Sequence, residues 1–179
     1  MIIVMGLPGA GKSTVLEGLS ADVKQLNYGT LMFEIAKENF GIENRDDMRK
    51  LPVENQKEVQ EAVAEQLSRE KGKVVLDTHC SIKTSKGYLP GLPFGLLERL
   101  SVEGVVLITA NPEEVFARRA GDPSRTRDEE TAESIKEHDL MNKAFLASYA
   151  AHRGCPAKII YNSQGKAEEA SAELQAILE

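Results

Sequence analysis

Apolar runs and amphipathic stretches alternate along the whole chain, and this alternation predicts strands and helices in turn. Short apolar runs predict strands at residues 1–5, 23–28, 73–77, 105–110 and 158–161. Longer stretches with apolar residues at helical spacing predict helices at 13–19, 30–38, 55–69, 94–100, from Pro112 onward, 129–153 and 167–178. Several of the strands are uninterrupted apolar runs, which is typical of a parallel sheet covered on both faces. The pattern therefore predicts an α/β fold with a five-stranded parallel sheet and helices on both faces.

Residues 87–95, which include two prolines, predict a turn-rich loop.

Composition narrows the protein class and its partners. A length of 179 residues fits one domain with a sizeable core, and we expect residues 1–179 to form a single domain. The formal net charge of −6 argues against a general nucleic-acid or membrane-surface binder. No uncharged stretch approaches the ~20 residues of a membrane span, and the N-terminus lacks the basic start of a signal peptide. We therefore expect a cytoplasmic protein in which Cys80 and Cys155 are reduced thiols, although a single bridge between them stays open.

The most specific motif follows the first predicted strand. Residues 6–13 read G-L-P-G-A-G-K-S, which fits the phosphate-binding pattern G-x-x-x-x-G-K-[ST]. Glycines let the backbone turn so that its N–H groups converge on phosphate oxygens, and a helix N-terminus follows. Lys12 can reach the β- and γ-phosphates, and the Ser13 hydroxyl can bind Mg²⁺. The sequence thus predicts a nucleoside triphosphate site, whose residues are Gly6, Leu7, Pro8, Gly9, Ala10, Gly11, Lys12, Ser13 and Thr14.

An acidic residue ends the third predicted strand, at the sheet edge where the phosphate loop also lies. Asp77 follows three apolar residues, and a carboxylate there would face the loop. With Ser13 it would complete a magnesium site, because Mg²⁺ takes carboxylate and hydroxyl oxygens. The alternative interpretation is a helix or turn cap.

Arginines cluster around a Gly-Asp-Pro-Ser turn. The cluster consists of Arg118, Arg119, Arg125 and Arg127. Phosphoryl transfer depends on positioning and on cations around the transferred group, and the arginine fork matches phosphate oxygens. The cluster therefore predicts catalytic cations on a short closing lid at about residues 120–132. A solvated surface is the alternative.

Further basic residues lie on a charged stretch that we interpret as a flap at about residues 28–70. Arg45, Arg49 and Lys50 could hold a second phosphate-bearing substrate, although helix solubility explains them equally well. Lys83 and Lys86 follow Asp77 closely enough in the chain to reach the same cleft.

Longer segments of the chain resemble archaeal-type adenylate kinases. These segments are YGTLMFE (28–34), DDMRKL (46–51), DTH (77–79), IKTSKGYLPGLP (82–93), SRTRD (124–128) and EHDLMN (137–142). The resemblance extends through nearly the whole chain and is most specific in residues 82–93. It implies a P-loop NTPase fold with a core, a monophosphate-binding flap and a lid, commonly assembled as a homotrimer. The implied reaction is MgATP + AMP ⇌ two ADP, with ATP and AMP as the substrates.

The resemblance also implies roles for individual residues. Gly9, Gly11, Lys12, Ser13 and Thr14 would hold the ATP phosphates. Thr30 and Arg49 would hold AMP, Lys83 would lie near its phosphate, and the four clustered arginines would be the lid cations. The bacterial enzymes have a Gly-Phe-Pro-Arg turn after strand three, where this chain has residues 78–80 as Thr-His-Cys. This difference leaves open which cation holds the AMP phosphate. Residues 162–164 stand where an adenine-binding loop would lie, but only their position indicates this.

Other functions share some of these features. A kinase for UMP or CMP, or for a small alcohol such as shikimate or gluconate, would have the same loop, size and arginine lid. A guanine-nucleotide switch would carry Asn-Lys-x-Asp, whereas the Asn142-Lys143 pair here is followed by Ala144-Phe145. An assay with each acceptor distinguishes the kinases from one another.

Overall fold

The main sheet of the protein has five parallel strands. The computed structural model describes residues 1–121 and 131–179. In those residues the strands are β1 (Ile2–Gly6), β2 (Lys24–Asn27), β3 (Val74–Thr78), β4 (Ser81–Thr84), β5 (Gly87–Pro90), β6 (Gly104–Thr109) and β7 (Ala157–Tyr161). The main sheet has the order β2-β3-β1-β6-β7, and all its pairings are parallel. The predicted α/β fold with a five-stranded parallel sheet is confirmed.

Helices connect the strands. They are α1 (Lys12–Glu17), α2 (Tyr28–Phe40), α3 (Val53–Ser68), α4 (Phe94–Glu98), α5 (Pro112–Ala120), α6 (Ala132–Arg153) and α7 (Ala167–Ile177), with a 3-10 helix at Arg45–Lys50. Helix α2 begins two residues earlier than predicted, because the Asn27 side chain caps it by accepting a hydrogen bond from the Thr30 N–H. The described residues contain no helix that is long and apolar enough to cross a membrane.

Hydrophobic residues cover both faces of the sheet. Side chains alternate along β1, so that Ile3 packs with α2, α3, α4 and α6 while Val4 packs with α1 and α7. The central strands β1 and β6 are buried along their whole length. Both faces of the sheet are thus covered, and its carboxyl edge presents the ends of β1, β2, β3 and β6 together.

A β-hairpin stands where the sequence predicted only a turn-rich loop. Strand β4 pairs with β5 in antiparallel register, with Ile82 opposite Leu89 and Lys83 opposite Tyr88. The interpretation of residues 87–95 as a loop is therefore wrong for Gly87–Pro90. The glycines and prolines of residues 87–95 indicated a loop, and they hid the alternation of side chains along the four-residue strand β5. Gly87 has a φ of 119° at the turn.

Gly91, which follows the hairpin, has no room for a side chain. A Cβ atom there would lie 2.0 Å from the His79 carbonyl oxygen, and the Gly91 N–H also donates to the Cys80 carbonyl. We expect Gly91→Ala to lower the free energy of unfolding by about 1–3 kcal/mol, because backbone atoms must shift. Urea denaturation measures the change. Gly95→Ala is the control, since within the described residues no atom beyond its chain neighbours and its own helix backbone lies within 4 Å of its Cβ position. Equal stabilities of the two variants would contradict the prediction.

Candidate active site

A large cleft opens at the carboxyl edge of the main sheet. Its volume is about 950 Å³, and residues of the phosphate loop, α2, the 3-10 helix, α3 and the β4-β5 hairpin line it. Such a position is typical of ligand sites in parallel sheets. The cleft combines basic side chains with apolar ones, so it suits ligands that carry both phosphates and a ring.

The phosphate loop connects β1 directly to α1. Gly9 and Gly11 have φ values of 84° and 78°, in the left-handed region that other residues avoid. A Cβ atom at Gly6 would lie 2.9 Å from the Ile108 carbonyl oxygen. Of the predicted loop residues 6–14, all line the cleft except Ala10, which is buried. The glycine positions of the motif thus match the geometry that only glycine allows.

Lys12 and Asp77 meet at the floor of the cleft. The Lys12 ammonium pairs with Oδ1 of Asp77, and both side chains are mostly buried. The other carboxylate oxygen, Oδ2, accepts a hydrogen bond of 2.7 Å from the Asn27 amide. Burial lowers the pKa of Lys12 to about 8. The ammonium is therefore still mainly protonated at neutral pH.

The residues predicted to bind magnesium both line the cleft. Ser13 supplies a hydroxyl oxygen and Asp77 a carboxylate oxygen, which are the donor types that Mg²⁺ prefers. Asp77 bonds to Lys12 and Asn27, whereas the residue that caps the neighbouring helix is Asn27. The donor set thus fits a magnesium ion that takes its remaining ligands from phosphates and water.

The two described arginines of the predicted lid contact the phosphate loop. Arg118 lines the cleft, and Arg119 donates from Nε and Nη2 to the Pro8 carbonyl oxygen at 2.8 and 2.6 Å. Helix α5 therefore brings both guanidinium groups beside the loop. Arg125 and Arg127 lie outside the described residues.

Cations also line the cleft from the 3-10 helix. Arg45 and Arg49 both face it. The Arg45 guanidinium donates a 2.7 Å hydrogen bond to the Thr30 hydroxyl, and it lies 5.7 Å from the centre of the Phe33 ring. Of the predicted residues, Arg49 lines the cleft, whereas Thr30 is absent from its lining and bonds to Arg45, a cation that shares the cleft with the phosphate loop.

Lys83 is not brought to the cleft. Side chains alternate along β4, and Ile82 lines the cleft while the Lys83 ammonium donates a 2.8 Å hydrogen bond to the Ser134 hydroxyl of α6. It also lies 5.9 Å from the centre of the Tyr88 ring. The hairpin thus presents apolar residues to the cleft and this lysine to a helix.

Sequence reasoning missed Asn27, which joins Asp77 to the start of α2. It accepts from the Thr30 N–H and donates to the Asp77 carboxylate. The signal was available, because Asn27 ends the strand beside β3, and the carboxyl ends of parallel strands lie at one edge.

Comparisons with known proteins found a matching family model and relatives that are similar over nearly the whole chain. A family model described as an AAA domain matches residues 5–136. Adenylate kinase of Thermoplasma acidophilum is 44% identical over 174 residues, covering 96% of this chain and 94% of the relative. Adenylate kinase of Methanothermobacter thermautotrophicus is 42% identical over 183 residues, covering 100% of this chain and 99% of the relative.

Solved structures share the fold at lower identity. Shikimate kinase from Acinetobacter baumannii in complex with shikimate has a TM-score of 0.59 and 21% identity, with 99% of this chain and 92% of that chain covered. Shikimate kinase from Bacteroides thetaiotaomicron has a TM-score of 0.58 and 13% identity, with coverage of 99% and 97%. At these identities the likeness concerns the fold alone. The archaeal relatives, by contrast, confirm the resemblance found in the sequence: the chain matches the AAA-domain family model and belongs to the adenylate kinase family.

Proposed function

We propose that the chain transfers a phosphoryl group from MgATP to AMP, reversibly, to give two ADP. The observation that carries the proposal is that one cleft holds both a phosphate loop with Lys12 and a second set of cations, Arg45 and Arg49. Two phosphate-bearing substrates need two such cation sets, and a nucleotide switch needs only one. Family membership supports the same reaction.

We assign the donor ATP to residues 6–14. Glycine turns allow the loop N–H groups to face phosphate oxygens, and Lys12 is the cation at the β- and γ-phosphates. Ser13 and Asp77 would hold Mg²⁺. That ion would neutralise charge on the phosphate oxygens when bound.

We assign the acceptor AMP to the flap at about residues 28–70. Thr30 and Arg49 would hold it, and Arg45 is a further candidate because it lines the cleft and bonds to Thr30. Met32, Met48 and Val59 of the flap line the cleft beside Ile82 and Leu89 of the hairpin, which supports a place for the base. Lys83 stays a prediction, although its bond to Ser134 favours the arginines as the phosphate cations.

We infer that residues 1–179 form one kinase domain with a lid at about residues 120–132. Arg125 and Arg127 would be its cations, and Arg118 and Arg119 would act with them from the end of α5. A homotrimer in the cytoplasm, without nucleic-acid or membrane partners, is the assembly that the family resemblance and the net charge of −6 favour.

The reaction that these residues serve is a direct in-line transfer. An oxygen of the AMP phosphate attacks the γ-phosphorus of ATP, a new P–O bond forms, and the bond to the β,γ-bridging oxygen breaks. The attacking oxygen is already anionic, so no general base is required. The protein therefore acts by holding both substrates in line, surrounding the transferred group with cations and excluding water.

A coupled assay for ADP formation tests the proposal. ATP is supplied with AMP, UMP, CMP, shikimate or gluconate, and we expect AMP to give by far the fastest turnover. Turnover with another acceptor and none with AMP would refute the adenylate assignment. Nucleotide binding without turnover on any acceptor would favour a switch.

The pH dependence of the reaction follows from Lys12. Its pKa of about 8 means that the ammonium loses its charge as the pH rises through that value. Since the charge is needed to hold phosphates, we expect kcat/KM for ATP to fall above pH 8, because this ratio reports the free enzyme. Initial rates against ATP concentration at saturating AMP, repeated over a pH series, measure this ratio.

Lys12→Arg provides the control for this profile. Its guanidinium stays protonated throughout, so the activity that remains is expected to lack the basic limb. A wild-type profile that stays level well above pH 8 would contradict the assignment of the limb to Lys12.

A further inference from the structure

Asn162, directly after β7, directs its side-chain amide nitrogen at the phosphate loop. It is 4% exposed, and its amide nitrogen Nδ2 donates to the carbonyl oxygens of Ala10 at 3.0 Å and Gly11 at 3.3 Å. Its backbone N–H donates to the Thr109 carbonyl at 2.7 Å, which anchors it to the end of β6. A Cβ atom at Gly11 would lie 2.2 Å from Nδ2. The amide thus packs against a loop position that only glycine fits.

Helix α5 holds Asn162 in place from the other side. The Arg118 guanidinium donates through Nη2 to the Asn162 carbonyl oxygen at 3.0 Å and through Nη1 to the Ala10 carbonyl at 3.4 Å. Glu114 accepts from Arg118 Nη2 at 3.0 Å and from the Gln164 N–H at 2.9 Å. These bonds join α5, the segment after β7 and the phosphate loop into one polar network.

Peptide geometry links the two carbonyls held by this network to the N–H groups of the residues that follow them. A trans peptide is planar, so its C=O and the N–H of the next residue point in opposite directions. Holding the Ala10 and Gly11 carbonyls toward Asn162 therefore turns the N–H groups of Gly11 and Lys12 away from it. N–H groups at a loop of this kind are the ones that bind phosphate oxygens.

We propose that Asn162 is a positioning residue for the donor nucleotide. Together with Arg118 on the Ala10 carbonyl and the Val15 N–H on the Gly11 carbonyl, it fixes these two carbonyls and through them the N–H groups that hold the ATP phosphates. The inference rests on the proposed assignment of this loop to ATP. It gives Asn162 no contact with the reacting atoms. Its removal therefore weakens ATP binding and leaves AMP binding nearly unchanged.

Two substitutions at this position test the proposal. Asn162→Ala removes the donor, and Asn162→Asp places a carboxylate against two carbonyl oxygens at nearly constant volume. We expect the KM for ATP to rise about tenfold in Asn162→Ala, and further in Asn162→Asp, with the KM for AMP within about twofold. Calorimetric titration with ATP alone measures the same change without an acceptor. If the wild-type protein binds ATP but does not turn over AMP, the proposed reaction is refuted, and titration of the Asn162 variants with ATP still tests the positioning role.

Asn142→Ala is the matched control. Asn142 is also a buried asparagine, but its side chain accepts from the hydroxyl of Ser81, the first residue of the hairpin. We expect it to lower the melting temperature as Asn162→Ala does while ATP affinity stays unchanged. Unchanged ATP affinity in both Asn162 variants, or an equal loss in Asn142→Ala, would overturn the proposal.

If the Asn162 variants fail to fold, a substitution at Glu114 tests the proposal instead. Glu114→Gln weakens the bonds that hold Arg118 and Gln164, at a side chain that is partly exposed. We expect ATP affinity to fall about threefold, with the KM for AMP unchanged. A Glu114→Gln protein with wild-type ATP affinity would overturn the proposal.

Discussion

Replacing Lys12 with alanine is expected to lower kcat by about 10²–10³-fold, while the KM for AMP changes less than about threefold. The Lys12 ammonium lies at the floor of the cleft, largely buried and paired with Asp77. Charge on the transferred group and on the β,γ-bridging oxygen grows toward the transition state, where a fixed cation in a shielded site stabilises it most. Steady-state rates at saturating ATP and AMP measure the loss.

A control variant must remove a lysine that has the same charge but lies outside the cleft. Lys24→Ala is suitable, since Lys24 is exposed and pairs with Glu70 away from the cleft. We expect it to keep wild-type kcat. A Lys12→Ala protein with native circular dichroism and near-normal turnover would remove the phosphate loop from the mechanism, whatever the family of the chain.

The phosphate loop and the main sheet were predictable from the sequence because their signals are local. The apolar run of β1 and the glycines of residues 6–13 determine a strand and a turn within a few residues of one another. The position of Asp77 was predictable for a related reason. Parallel strands end at one edge, so a polar residue after an apolar run falls beside the loop.

Contacts between distant segments were not predictable in this way. Lys83 follows Asp77 closely in the chain, yet the pleat of the unrecognised hairpin directs it to Ser134, fifty-one residues away. Arg119 and Asn162 contact loop residues more than a hundred positions earlier. Periodicity in one segment carries no information on such pairings, because they depend on how α5 and β7 pack against the rest.

Arg49→Ala is expected to lower kcat/KM for AMP about 10–100-fold, with the KM for ATP within about twofold. Arg49 lines the cleft that contains the phosphate loop. A guanidinium makes paired, charge-assisted hydrogen bonds to phosphate oxygens, and each such bond is worth roughly 1.5–3 kcal/mol. Initial rates against AMP concentration at saturating ATP measure the effect. Arg49→Lys keeps the charge without the fork, so we expect an intermediate value.

Lys50→Ala decides between the two interpretations that the sequence left open for this helix. Lys50 is the next residue, and its ammonium bonds to Asp47 at 2.7 Å with the side chain 77% exposed. It is absent from the lining of the cleft. If Arg49 holds the acceptor phosphate, Lys50→Ala keeps the wild-type kcat/KM for AMP. If the basic residues only keep the flap soluble, both alanine variants behave alike, and the acceptor cation must then be Arg45 or a residue of the lid.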